Sequence, residues 1–178
     1  MTKNLFVILL FAITMTSCTL IVFEEPMPPG GEKLASFPEK FQGHFIYTIE
    51  DLASDLVIGE NYFIRDSIAV YISDSLILKP YGKSFVLSER INDPTVSVMG
   101  KWYCYMLSEG KDGTIHATAF CITDSIQQEK IQDKFNTKVI DRGEVQAFME
   151  FKGDSKSFKK LTKEKGATIP VVLTPKEN

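Results

Sequence analysis

The chain has 178 residues, 44% of them hydrophobic, and a formal charge of −3 at pH 7. A chain of this size can bury about 70% of the surface that its unfolded form exposes, so one domain with an ordinary core needs neither a metal nor a disulfide to fold. The weakly acidic balance argues against nucleic acid as a partner, because binding phosphates needs clustered positive charge.

Lys3 precedes an apolar run from Leu5 to Met15, and the small residues Thr16 and Ser17 stand before Cys18. A basic start, an apolar stretch and a small-residue exit are the layout of a secretory leader. A rival reading takes Leu5 through Phe23 as one membrane span, since about 19 residues at 1.5 Å each just cross roughly 30 Å of hydrocarbon. The cluster Thr14, Thr16, Ser17, Cys18 and Thr19 favours the leader, because a span wants its most apolar residues there and a peptidase wants small ones. Within it, "MTSC" resembles the lipobox of bacterial lipoproteins, with Met15 where that motif usually has Leu. The resemblance implies cleavage before Cys18, diacylglycerol on the Cys18 sulfur and a further acyl chain on the new amino group. Two or three chains hold firmly where one holds marginally, at about 0.8 kcal/mol per buried CH₂. Thr19 is not the Asp common in lipoproteins kept at the inner membrane, so the resemblance points to the outer membrane, on its periplasmic or its outer face. Losing residues 1–17 removes Lys3 and no acid, which leaves a formal charge of −4.

After Cys18, Pro26, Pro28, Pro29, Gly30 and Gly31 rule out a continuous helix and give no strand, so residues 18–37 are expected to be a flexible tether. Residues 38–178 are expected to form a single β-rich domain. From Phe37 to about Asp124, runs of Val, Ile, Tyr, Phe and Thr broken by Gly, Asp, Asn, Ser and Pro read as strands. "IRDSIAVY" and "ISDSLILK" echo each other and predict consecutive meander strands. In "LKPYGKSFV", a three-residue loop from Pro80 to Gly82 would set Ile77 opposite Phe85.

In "KWYCYMLSEGKDGTIHATAFCITD", Asp112-Gly113 reads as a two-residue hairpin turn. That register sets Tyr105 opposite Phe120 and Cys104 opposite Cys121 in a closely spaced pair, so a Cys104–Cys121 disulfide is geometrically open to an exported protein. Two small buried thiols are the alternative, and a three-residue loop would undo the pair. Beyond Asp124, "DSIQQEKIQDKF" predicts a short helix and "EVQAFMEF" a strand. "DSKSFKKLTKEKG" predicts a second helix, capped by Asp154 or Ser155 and closed by Gly166. In the last strand, "ATIPVVLT", Pro170 requires an edge or a bulge. The expected fold is mainly β, an antiparallel meander curling toward a barrel or sandwich, with one or two short helices in the C-terminal third.

Chemistry-bearing motifs are sparse. His116 and Cys121 fall on opposite strand faces, which argues against a metal site, and "YGKS" lacks the first glycine of a phosphate loop. No nucleophile elbow or EF-hand spacing is present, and Glu50, Asp51 and Asp55 read as solvated turn acids. Lys156, Lys159, Lys160, Lys163 and Lys165 read as a solvated helix face, with phospholipid headgroups as the other option. Neither a cofactor nor catalysis is expected. Trp102 with Tyr103 and Tyr105 is the candidate ligand platform, although alternation sends Trp102 to one face and both tyrosines to the other.

"FPEKFQGHFIY" is similar to the first strand of lipocalins, with Gly43-x-Phe45 where that family has Gly-x-Trp. Thr123-Asp124 is similar to its later Thr-Asp element, with Ser125 in place of Tyr. Most of the mature chain also resembles small β-rich lipoproteins of Gram-negative bacteria. The functional expectation is a lipid-anchored envelope lipoprotein that binds an envelope protein, a glycan or an apolar ligand. A lipocalin-like carrier of an apolar molecule and an inhibitor or immunity-type lipoprotein that blocks a protein partner are the alternatives.

Overall fold

The computed structural model describes residues 18–49, 52–142 and 147–176. The expected signal peptide, residues 1–17, lies outside the described residues, as do Glu50, Asp51 and the start of the "EVQAFMEF" strand. In chain order the strands are β1 Thr19–Phe23, β2 Gly43–Ile49, β3 Leu52–Ile58, β4 Tyr62–Arg65, β5 Ile68–Tyr71, β6 Leu76–Tyr81, β7 Ser84–Arg90, β8 Trp102–Glu109, β9 Ile115–Ala119 and β10 Cys121–Ile122. Helix α1, Ser125–Phe135, precedes β11, Lys138–Arg142, and β12, Ala147–Phe151; helix α2, Ser155–Leu161, precedes β13, Ile169–Pro175. The protein is mainly β, as expected, but its strand pairing is mixed rather than wholly antiparallel, and among the described residues the strand order runs from β11 to β5 without returning on itself.

Turn chemistry sets the registers. Asp66 and Ser67 both adopt positive φ, 51° and 65°, the conformation that matches a two-residue turn to the twist of β4 and β5. Between β6 and β7 the turn is Gly82-Lys83, with Gly82 at φ 62° and Tyr81 opposite Ser84. Pro80 accordingly faces Phe85 and Leu78 faces Leu87, not the pairing that a Pro80–Gly82 loop predicts. Between β8 and β9, Thr114 donates its N–H to the Lys111 carbonyl at 3.0 Å, and Gly110 donates to the Thr114 carbonyl. The loop is therefore the three residues Lys111, Asp112 and Gly113, and Tyr105 faces Ala119 instead of Phe120.

The chain divides into two compact units, where one domain over residues 38–178 was expected. The first comprises residues 18–29, 90–104 and 120–169. Its centre is β1, which runs parallel to β12 on one side and pairs with β10 and, at Phe23 and Trp102, with β8 on the other. All five β1 residues are buried. A strand covered on both faces reads as an unbroken apolar run, and "TLIVF" is one. The expected tether is corrected at this point: its first residues are a core strand. Farther on in the expected tether, Met27 of this unit is also buried, as is Phe37 of the second. Phe23 packs edge-on against Phe120, Phe151 and Phe158, with ring centroids 5.4, 5.6 and 5.9 Å away. Both helices begin on aspartate caps, Asp124 accepting from the Gln127 N–H at 2.9 Å and Asp154 from the Ser157 N–H at 2.8 Å. Helix α2 buries Phe158 and Leu161 but ends before the predicted Gly166, which takes its positive φ of 82° in the turn beyond.

The second unit comprises residues 30–89, 105–119 and 170–176. Its strand order is β8, β9, β13, β2, β3, β4, β5, and β7 joins β6 to β8. Gly43 and Phe45 lie in β2, pairing with Ile58 and Leu56 of β3. Pro170 is exposed, which is where a residue lacking an N–H belongs in a strand.

Candidate functional site

Cys18 is buried, and its sulfur is joined to that of Cys121, with 6.5 Å between the Cα atoms. The expected Cys104–Cys121 bridge is therefore corrected. In the observed hairpin register Cys104 falls level with Phe120, while Cys121 has turned away into β10 and faces Leu20 of β1. Position 121 is held there by an N–H bond to the Ala167 carbonyl. A sulfur carries one such bond, so a diacylglyceryl thioether on Cys18 and the Cys18–Cys121 disulfide exclude each other.

The aromatic platform is corrected too. Trp102 and Tyr103 are each only 7% exposed, and Tyr105 is half-buried. Alternation does send Trp102 and Tyr103 to opposite faces, but β8 is covered on both faces at that point, so these rings fill the core.

A charge cluster that no local spacing announced sits at the end of β1. Glu150 of β12 is buried and accepts from the Lys101 ammonium, with Lys152 at 3.3 Å; Glu24 lies 3.7 Å from Lys101. Burial pushes the Glu150 carboxyl up, but the two ammonium groups more than offset that and hold it below the ordinary glutamate value. A carboxyl lowered in the folded state contributes stability above its unfolded pKa and loses it as pH falls through the folded value. Glu150→Gln is accordingly expected to cost about 1–3 kcal/mol at neutral pH. The gap from the parent protein should narrow as pH falls below the ordinary glutamate range and the folded-state carboxyl takes up its proton, read from urea unfolding at several pH values.

Among the acids read as solvated, Asp55 lies on β3, where Lys176 donates to it at 2.9 Å and His44 Nε2 stands 3.3 Å away. The Lys176 hydrogen bond holds Asp55 below the usual carboxylate range. Inside the second unit, burial pushes the Glu89 carboxyl up, countered in part by the Arg65 guanidinium. The five lysines around α2 are exposed.

The chain matches no protein-family model, no curated protein and no solved structure.

Proposed function

We propose that the chain is an exported envelope protein that acts as a binding module and is held at the outer membrane through lipid on Cys18. The observation that carries this reading is the place of β1. A span from Leu5 to Phe23 would need Thr19–Phe23 in the bilayer, yet these residues are the buried, doubly paired centre of a sheet. Without them the apolar stretch from Leu5 to Cys18 has about 14 residues, well short of the roughly 20 that cross a bilayer as a helix and in the range of a leader. The small residues Thr16 and Ser17 before Cys18 support cleavage at that point. With no tether left, lipid on Cys18 would set the first unit directly against the membrane surface, where the exposed lysines of α2 are compatible with anionic headgroups.

A second reading is favoured by the disulfide. In it the protein is exported but not acylated, and Cys18 is spent on Cys121. Intact mass of protein extracted from membranes separates the two, with Cys18→Ala alongside. The anchor reading expects a chain that starts at Cys18, carries two or three acyl chains, loses them in the variant and retains a titratable Cys121 thiol. A chain without acyl groups, its Cys18 and Cys121 oxidised, would sink the anchor and leave the second reading.

A further inference from the structure

We propose that the outer edge of β5 is a docking strand for an extended peptide segment with basic residues at its ends. β5 is the last strand of its sheet, and among the described residues no strand pairs with its far side. Its sequence, "IAVY", is apolar throughout, and Ile68 and Tyr71 are 40% and 56% exposed. Unpaired edges of this kind usually carry a charge, a proline or a bulge that blocks pairing, and β5 has none within it. The Ile72 N–H donates to the Asn61 carbonyl at 2.8 Å, which fixes the parity of the strand. Ile68, Val70 and Ile72 turn their backbone groups inward to β4, so Ala69 and Tyr71 turn theirs outward. An added strand would pair with those two residues, seating alternate side chains beside Ile68 and Val70 on one face and beside Tyr71 on the other. Tyr71 already packs at a tilt against Tyr62, with ring centroids 5.6 Å apart, which stiffens that wall.

Charge selects the occupant. Exposed Asp66 and Asp74 bracket the strand, one in the turn at each end. A second copy could pair only with antiparallel register about Val70 if both outward residues of each strand were to bond. That register carries Asp66 toward Asp74 of the other copy, and like charges opposed in this way disfavour pairing. A segment ending in lysine or arginine answers both acids. One strand buries far less than the roughly 1,000 Å² of a lasting interface, so the complex should be weak and reversible. Main-chain pairing supplies the affinity and alternate side chains the selectivity, as in other strand-addition complexes. The proposal rests on the binding-module part of the functional reading and not on the anchor.

The test uses the full protein and a capped seven-residue peptide of alternating valine and threonine with a lysine at each end. Hydrogen exchange is expected to slow at least tenfold at the Ala69 and Tyr71 amides on saturation, with little change at Ile68 and Val70, which already bond to β4. Replacing the two lysines by glutamates should weaken binding at least fivefold. So should Asp66→Asn combined with Asp74→Asn, a pair of surface changes that leaves the core intact. Tyr71→Pro removes an outward N–H without breaking the β4–β5 ladder, and should abolish binding while the protein stays folded. Equal binding of both peptides, or protection elsewhere than Ala69 and Tyr71, would overturn the proposal. A peptide-independent dimer that Tyr71→Pro converts to monomer would also overturn it, making the occupant a second copy. The outcome does not depend on the mass measurement, so failure of the anchor and failure of the docking strand are separable.

Discussion

Phe23→Ala is expected to destabilise the protein by about 3–5 kcal/mol, the range for truncating a large ring in a packed core. The ring is fully buried at the end of the central strand and meets three other rings edge-on, so its loss removes both its own transfer term and the contacts of Phe120, Phe151 and Phe158. Aromatic pairs of this geometry add about 0.5–1.5 kcal/mol beyond buried area, which places the expected cost toward the upper end. The result is decisive because the two accounts of this segment differ so widely. A residue in a solvated tether would cost close to nothing. A urea midpoint that does not move would return residues 19–23 to the tether; a large shift at constant slope places them in the core.

The contrast shows what local sequence could and could not carry. Strands bounded by strong turn chemistry were legible: the Asp66-Ser67 turn makes its hairpin, and the Asp124 and Asp154 caps start their helices as expected. Registers were less so, because "DG" fits a two-residue turn and also a three-residue loop, and the choice was made by the Thr114 N–H reaching Lys111. That single step moved every cross-strand pair by one residue and took Cys104 away from Cys121. The β1 strand is hidden in the sequence because its signal, a short unbroken apolar run beside prolines and glycines, fits a buried strand and the end of an apolar leader equally well. Its parallel partner β12 lies more than a hundred residues away, beyond the reach of any local period. The same distance hid the cluster of Glu24, Lys101 and the neighbours Glu150 and Lys152, which come from three separate parts of the chain. The β5 edge was visible as a strand, but only the sheet order leaves its far side unpaired.

In protein that carries no acyl chain, reducing Cys18–Cys121 is expected to lower stability by about 2–5 kcal/mol, since the bond closes a long loop in the unfolded chain. The two cysteines are 103 residues apart, and the chain-entropy relation gives about 4.7 kcal/mol for a loop near that length. The bond also ties the first residue of β1's approach to β10, so its loss frees the end of the central strand and should raise hydrogen exchange at Leu20 and Ile21 first. In acylated protein the same reductant has nothing to cut, because the Cys18 sulfur is already closed by its thioether. Urea unfolding with and without dithiothreitol, on protein made with and without residues 2–17, therefore reads the chemistry of one sulfur through the stability of the whole unit. Sensitivity to reductant in the membrane-extracted form would place Cys18 in the disulfide and remove it as the anchor. Insensitivity in both forms would leave the bond without a structural role, and β1 would then be held by its pairing and its aromatic core.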